Sequence, residues 1–183
     1  ELSSDAVDGA FAASLVRRIR GLVAAGTLRA GLVVCGKRSA YVEDTGPEFV
    51  AEVEKYYAKL EIVPDLLAVA DEVLKLAIYD FDGGEAHTAP ALDDVRATHQ
   101  VVVSGRHWVD VMNTTVDKGV ALRSLQRALG VTPAQTAAFG DYLNDLEMLR
   151  AADWSYAMAD AHPDVAAVAR HRAPSNAEAG VVS

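Results

Sequence analysis

The sequence predicts an α/β protein in two parts, an α+β region over residues 1–113 and a run of βα units from a parallel sheet over residues 114–183. Three observations predict it. The chain has 183 residues, enough for one or two modest domains. Hydrophobic residues make up 51% and charged residues 23%, the balance of a chain that buries a core and keeps a solvated surface. The pattern also changes at Thr115: before it several short strands follow one another, and after it strand and helix alternate regularly.

Taken in order, Ala6 to Ala24 is Ala- and Leu-rich with helical periodicity. Leu28 to Cys35 and Ser39 to Val42 read as strands about the turn at Gly36-Lys37. Pro47 to Leu60 reads as a helix with Thr45 as N-cap and Phe49, Val50, Val53, Tyr56 and Tyr57 on its apolar side. Pro64 to Asp71 is a short helix. Leu74 to Tyr79 is a strand ended by Asp82-Gly83-Gly84. Pro90 to Thr98 is helical, and Val101 to Val103 and Trp108 to Met112 are strands. Beyond Thr115, Lys118 to Leu129 is a helix capped by Asp117 and stopped by Gly130, with Val120, Leu122, Leu125 and Leu129 expected inward. Thr132-Pro133 opens a short helix, Thr136 to Phe139 is a strand, and Asn144 to Ala151 a helix. Trp154 to Met158 and Pro163 to Ala169 form the next strand and helix.

The net charge of −9 argues against nucleic acid, because a protein that tracks phosphate backbones carries a basic stripe and none is visible. Arg17, Arg18 and Arg20 read as a solvated helix face. No apolar run reaches the length of a membrane span, and no signal-peptide pattern opens the chain, which leaves the cytoplasm as the default location. The one cysteine, Cys35, lies in the apolar run Leu32-Val33-Val34-Cys35 and is expected to be a buried thiol. The five histidines show no zinc spacing.

The strongest chemical signal is Phe139-Gly140-Asp141-Tyr142-Leu143-Asn144-Asp145. An apolar strand runs into two carboxylates and an amide, and a helix follows. Ligands of open parallel sheets bind at the carboxyl ends of strands. Asp141 and Asp145 are hard oxygen donors suited to Mg²⁺, and Asn144 lies near a helix start, where backbone N–H groups favour an anion. The same residues also make ordinary turns and caps. The second signal is Asp117-Lys118-Gly119. A lysine in a first helical turn opposes the helix dipole, so either a local anion compensates or Lys118 is a plain surface residue.

Together these segments resemble the haloacid-dehalogenase (HAD) superfamily of phosphatases, most closely the Cof-type branch with a large cap. Ser104-Gly105-Arg106-His107-Trp108-Val109-Asp110-Val111-Met112 and Val116-Asp117-Lys118-Gly119-Val120-Ala121-Leu122 look like the cap exit and third motif of that branch. Ala138 to Leu149 looks like its fourth motif, and Ala157-Met158-Ala159-Asp160-Ala161 and Ser175 to Val181 resemble the stretches that close its core. The resemblance implies a partial Rossmann-like core over residues 114–183 with an α+β cap over residues 1–113. It implies a Mg²⁺-dependent phosphomonoester hydrolase of small phosphorylated metabolites such as sugar phosphates, working through an aspartyl phosphate. Lys118 would neutralise the phosphoryl group, Asn144 would contact its oxygens, Asp141 would bind Mg²⁺, and Asp145 would be a second ligand or an anchor for the metal's surroundings. Tyr142 would narrow the mouth, and Trp108 and Asp110 are candidates for lining the cleft.

Members of that superfamily carry their nucleophile in Asp-x-Asp-Gly-Thr at the end of a first strand. Leu76-Ala77-Ile78-Tyr79-Asp80-Phe81-Asp82-Gly83-Gly84 is the nearest match, which would make Asp80 the nucleophile, Asp82 the acid and base, and Ser104 the second motif. Gly84 stands where the family has Thr or Val, and the segment fits a cap strand and turn. The expectation is therefore that both ends are cut and that the nucleophile segment lies upstream. Such a chain would expose sheet edges and apolar surface and would need that N-terminal segment or self-association to cover them. A complete minimal enzyme using Asp80, and a non-catalytic binding or assembly module, are the alternatives.

Overall fold

The computed structural model describes residues 4–182; residues 1–3 and 183, at the outer bounds of the two expected parts, lie outside that range. The chain divides into two compact units, Glu1–Thr114 and Thr115–Ser183.

The first unit opens with helix α1 (Gly9–Ala24), which starts later than Ala6 because the Asp8 carboxylate caps it, accepting from the backbone N–H groups of Ala10 and Phe11 at 3.0 Å each. Its apolar stripe buries Ala12, Leu15, Val16 and Ile19. Strands β1 (Ala30–Gly36), β2 (Ala40–Val42), β3 (Leu60–Ile62), β4 (Val73–Asp80), β5 (His99–Val103) and β6 (Trp108–Asn113) form one sheet in the order β3-β2-β1-β4-β6-β5. All neighbours are antiparallel except β2 and β3. The period-2 alternation sorts the side chains cleanly. Leu32, Val34, Leu76, Ile78, Val109 and Val111 share one face, whereas Val33, Cys35, Lys75, Ala77, Tyr79, Trp108 and Asp110 share the other.

The second of these faces is covered by helix α2 (Pro47–Val53), whose Phe49 and Val53 bury against Val33, Cys35, Ala40, Val42 and Ala77. This helix is shorter than the Pro47 to Leu60 expected and has no side-chain cap; Gly46, not Thr45, is its N-cap. The reason is tertiary: Leu60 to Ile62 pairs in parallel with β2, and the backbone N–H of Ala40 donates to the Lys59 carbonyl at 3.1 Å. Sheet pairing satisfies the backbone groups that further helix would have used. The expected helix at Pro64 to Asp71 is a single 3₁₀ turn, Leu66–Ala68. That at Pro90 to Thr98 is a short α3 (Thr88–Ala91) followed by the 3₁₀ turn Asp93–Ala97. Cys35 is buried with its sulfur 3.3 Å from the Tyr57 hydroxyl, and burial pushes the thiol up to about 11, so it stays protonated and inert at neutral pH.

Asp71 ties the β1–β2 turn to the start of β4. Burial alone would raise its carboxyl, but it accepts from the Arg38 N–H (2.9 Å), the Tyr41 hydroxyl (2.9 Å) and the Glu72 N–H (2.8 Å), with the Arg38 guanidinium at 3.2 Å. The hydrogen bonds win, and the group is held down to about 2. A carboxyl lowered in the folded state stabilises fully above its unfolded value of about 3.9 and loses that contribution as pH falls through the folded value. The first unit is thus expected to weaken between about pH 4 and pH 2. Asp71→Asn should be less stable than the parent at neutral pH and show a flatter decline in that window by denaturant titration. Parallel pH profiles for the two proteins would contradict this.

The second unit comprises helix α4 (Lys118–Leu129), strand β7 (Ala137–Gly140), helix α5 (Leu146–Arg150), strand β8 (Trp154–Met158), helix α6 (Pro163–Val168) and strand β9 (His171–Ala173). The three strands form a parallel sheet in the order β7-β8-β9. Leu149 and Val165 bury against Ala138 and Ala157 on one face. On the other face Phe139 stacks on Tyr156 (centroids 4.7 Å apart) and Tyr156 meets His171 at a tilt (5.0 Å), a row left half-open within this unit. Helix α4 is capped by Asp117 and stopped at Gly130, where φ is 67°, but its rotation differs from the expectation. Of the four residues expected inward only Leu122 packs against the core, while Val120, Leu125 and Leu129 are 37%, 43% and 66% exposed. The buried positions are Gly119 and Gln126. A Cβ at Gly119 would stand 2.5 Å from the Glu147 carbonyl oxygen, so the missing side chain lets α4 and α5 come into backbone contact. Gln126 donates to the Ala151 carbonyl at 2.9 Å and completes that seam. No helix among the described residues is long and apolar enough to cross a membrane.

Candidate active site

Lys118, Asp141, Asn144 and Asp145 all belong to the second unit. Asp141 follows β7 directly, and the chain then tightens into a 3₁₀ turn, Leu143–Asp145, before α5 begins. This turn replaces the first part of the helix expected from Asn144. Gly140 is what permits the turn's closeness. A Cβ there would lie 2.6 Å from the Cβ of Asp145, so any side chain would displace the carboxylate from under the strand end.

Asp145 is buried and both its oxygens are engaged. Oδ2 accepts from the backbone N–H groups of Asp141 (3.0 Å) and Tyr142 (3.3 Å), and Oδ1 lies 2.5 Å from the Lys118 ammonium. This carboxylate is the local anion that offsets a lysine in the first turn of α4. The two partners differ in burial: the Asp145 side chain is 5% exposed and that of Lys118 48%. The lysine is therefore anchored through its ammonium to a buried carboxylate while about half of its side chain stays exposed. The N–H groups of Asp141 and Tyr142, which would otherwise be free for a bound anion, are taken by the chain's own carboxylate. Asn144 is half-buried in the middle of the turn, and the Tyr142 ring meets His162 edge-on, with centroids 5.6 Å apart.

Asp141 is held from two neighbouring loops. Its carbonyl accepts from the His162 N–H at 2.8 Å, and its Oδ2 accepts from the Asn176 side-chain amide, also at 2.8 Å. The sequence pattern assigns Asn176 no role of its own, although it lies in the Ser175 to Val181 stretch that resembles a core-closing segment and inside the Ser175-x-x-Glu178 capping pattern. Among the described residues no three His, Cys, Asp or Glu side chains converge on a common point. Chemically, Asp141 suits a hard cation such as Mg²⁺, which takes one or two carboxylates and completes its sphere with water and substrate oxygens. Asp145 already holds Lys118 through Oδ1 and the loop backbone through Oδ2, so a metal at this carboxylate would share an oxygen with those partners.

The other candidates lie in the first unit. Asp80 is 1% exposed, with Oδ2 accepting from the Thr88 hydroxyl (2.7 Å) and Oδ1 from the Asp82 N–H (2.9 Å). It ends a strand that is antiparallel to both neighbours, and its oxygens anchor a turn instead of facing solvent. Asp82 pairs with Arg29 at 3.0 Å. Asp110 is buried and accepts from Lys75 at 3.0 Å. Trp108 packs among Tyr56 and Tyr79, its indole N–H buried without a hydrogen-bond partner among the described residues.

Residues 20–183 match a family model described as haloacid dehalogenase-like hydrolase. A 5-amino-6-(5-phospho-D-ribitylamino)uracil phosphatase of Escherichia coli is 35% identical over 155 residues, which are 82% of this chain and 56% of that protein. A phosphoglycolate phosphatase of Methanococcoides burtonii is 27% identical over 147 residues, 77% of this chain and 61% of that protein. The chain thus spans little more than half the length of either relative. Among solved structures, a Streptococcus mutans protein superposes with a TM-score of 0.83 at 26% identity, covering 97% of this chain and 66% of its own. A match that runs through nearly all of both units, at this identity and with this fold, settles the family: the chain belongs to the haloacid dehalogenase-like hydrolases.

Proposed function

We propose that this chain is part of a Mg²⁺-dependent phosphomonoester hydrolase of small phosphorylated metabolites, with sugar phosphates as the leading class, acting through an aspartyl phosphate. The observation that carries the reading is the Lys118 ammonium anchored on Asp145, whose other oxygen holds the Asp141 N–H at the carboxyl end of β7, since phosphoryl transfer is catalysed chiefly by placing fixed positive charge around the equatorial oxygens. In this reading Lys118 and the Asn144 amide hold the phosphoryl group, and Asp141 supplies a carboxylate to the metal. The metal would contribute charge neutralisation of the transferring group. Asp145, with both oxygens engaged, orients Lys118 and the loop. Residues 114–183 act as the C-terminal part of the catalytic core and residues 1–113 as the cap that selects the substrate. The names of the two relatives, each a phosphatase of a small phosphorylated metabolite, support the substrate class.

The nucleophile in this proposal is an aspartate outside these residues, because the burial and hydrogen bonding of Asp80 leave no oxygen for attack. The half-open aromatic face of β7-β8-β9 and the exposed Leu125 and Leu129 are then the surfaces that a further part of the protein would cover, since parallel sheets are normally buried on both faces.

Hydrolysis of p-nitrophenyl phosphate by this chain, beside Asp80→Asn and Asp141→Ala, separates the readings when inorganic phosphate binding is titrated in parallel. The expected result is no turnover above the Asp141→Ala background, with phosphate binding present in the parent and lost in Lys118→Ala. Mg²⁺-dependent turnover abolished by Asp80→Asn would establish the minimal enzyme instead. Absence of both turnover and phosphate binding would leave the non-catalytic module.

A further inference from the structure

We infer that Asn176 is the positioning residue for Asp141, a device by which the last loop of the sheet aims the carboxylate at the end of the first strand. This rests on the proposed metal role of Asp141. The strands run β7-β8-β9, and Asp141 follows β7 while Asn176 follows β9. Two strand spacings, roughly 10 Å, separate those strand ends. The side-chain amide of Asn176 nevertheless donates to Asp141 Oδ2 at 2.8 Å across 35 residues of sequence. Such a reach needs a loop built for it.

The loop is built by its own hydrogen bonds. Glu178 accepts from the Ser175 hydroxyl (2.7 Å) and the Ser175 N–H (3.1 Å), closing a 3₁₀ turn over Asn176–Glu178. Ala179 adopts the left-handed conformation at φ 53°, the one non-glycine residue with positive φ among those described, which a chain accepts when surrounding contacts over-determine it. The Asn176 N–H lies 3.4 Å from an Asp160 carboxylate oxygen on the intervening loop, so all three loops at this edge of the sheet are linked. A carboxylate with one oxygen fixed by an amide donor presents its other oxygen in a defined direction without losing its charge. An amide fits this place better than a lysine or arginine, which would compete with a cation for the carboxylate. Outer partners of metal-binding carboxylates typically govern affinity by about 10–100-fold.

The test uses this chain, with Mn²⁺ as a paramagnetic stand-in for Mg²⁺. In the metal-free protein the Asn176 side-chain amide signals in a nitrogen-15 NMR spectrum should move toward free-amide positions in Asp141→Ala. Mn²⁺ titrated into the parent should broaden the Asn176 and Asp141 signals first, and Asn176→Ala should weaken that binding about tenfold. Asn176→Ala should add nothing to the binding loss in an Asp141→Ala background, because its effect runs through Asp141. A merely structural Asn176 would lower thermal stability and leave Mn²⁺ affinity unchanged, and that result overturns the inference while the metal role of Asp141 stands. A parent that binds no Mn²⁺ at millimolar concentration overturns the metal role and the inference with it.

Discussion

Asp145→Ala is expected to destabilise the second unit by about 3 kcal/mol, whereas Lys118→Ala should cost about 1 kcal/mol or less, although the two side chains form one ion pair. The asymmetry follows from burial. Removing the carboxylate orphans the N–H groups of Asp141 and Tyr142 at the strand end, and hydrogen bonds to a charged group contribute about 1.5–3 kcal/mol each. Removing the ammonium takes away a partner that is 48% exposed, and Asp145 keeps its two backbone donors. Activity should respond the other way. In a complete, active protein Lys118→Ala is expected to lower kcat by about 10²–10³-fold, the effect of deleting one preorganised charge at a transition state, with the fold intact. Each unit carries one tryptophan, Trp108 in the first and Trp154 in the second, so urea titrations of single-tryptophan variants read the units separately. Equal stability losses for the two variants would contradict the burial argument.

Phe49→Ala is expected to be the most damaging core substitution in the first unit, at about 3–5 kcal/mol. Phe49 is 1% exposed and sits at the centre of the cluster formed by Val33, Ala40, Val42 and Ala77. Its helix is seven residues long and lacks a side-chain cap, too short to persist in water by itself, so its helicity depends on docking through Phe49 and Val53. Loss of the ring both opens a cavity and removes half of that docking. The Trp108 signal should report the change, because Tyr79 bridges the two rings, with centroids 6.4 Å from Phe49 and 5.1 Å from Trp108. A destabilisation below about 1 kcal/mol would mean that α2 is held by other contacts.

Much of the second unit was legible in the sequence, because its signals are local. Asp117 caps α4 through the N–H of Val120 three positions on, and Gly130 ends it at a positive φ. The strand at Trp154 to Met158 matches its expected limits. The first unit was harder to read. A helical rhythm through Tyr56 and Tyr57 concealed the short strand at Leu60, whose pairing partner Ala40 lies 20 residues earlier. The strand at His171–Ala173 was missed for a related reason: three residues carry too little pattern to announce a strand, and its existence depends on the edge that β8 offers.

The sequence by itself determined the family's motifs, the capped and stopped helix that begins with Lys118, and the presence of Asp141, Asn144 and Asp145 in one loop after a strand. Only the tertiary structure decided how those groups are used. It gave both oxygens of Asp145 to Lys118 and the loop backbone, one oxygen of Asp141 to Asn176, and both oxygens of Asp80 to a turn. It also rotated α4 so that Gly119 and Gln126, not Leu125 and Leu129, face inward. The physical reason is the range of the interactions. Caps and tight turns close over a few residues, whereas the partner of a carboxylate and the face a helix buries depend on which strands and helices lie beside it once the sheet has formed.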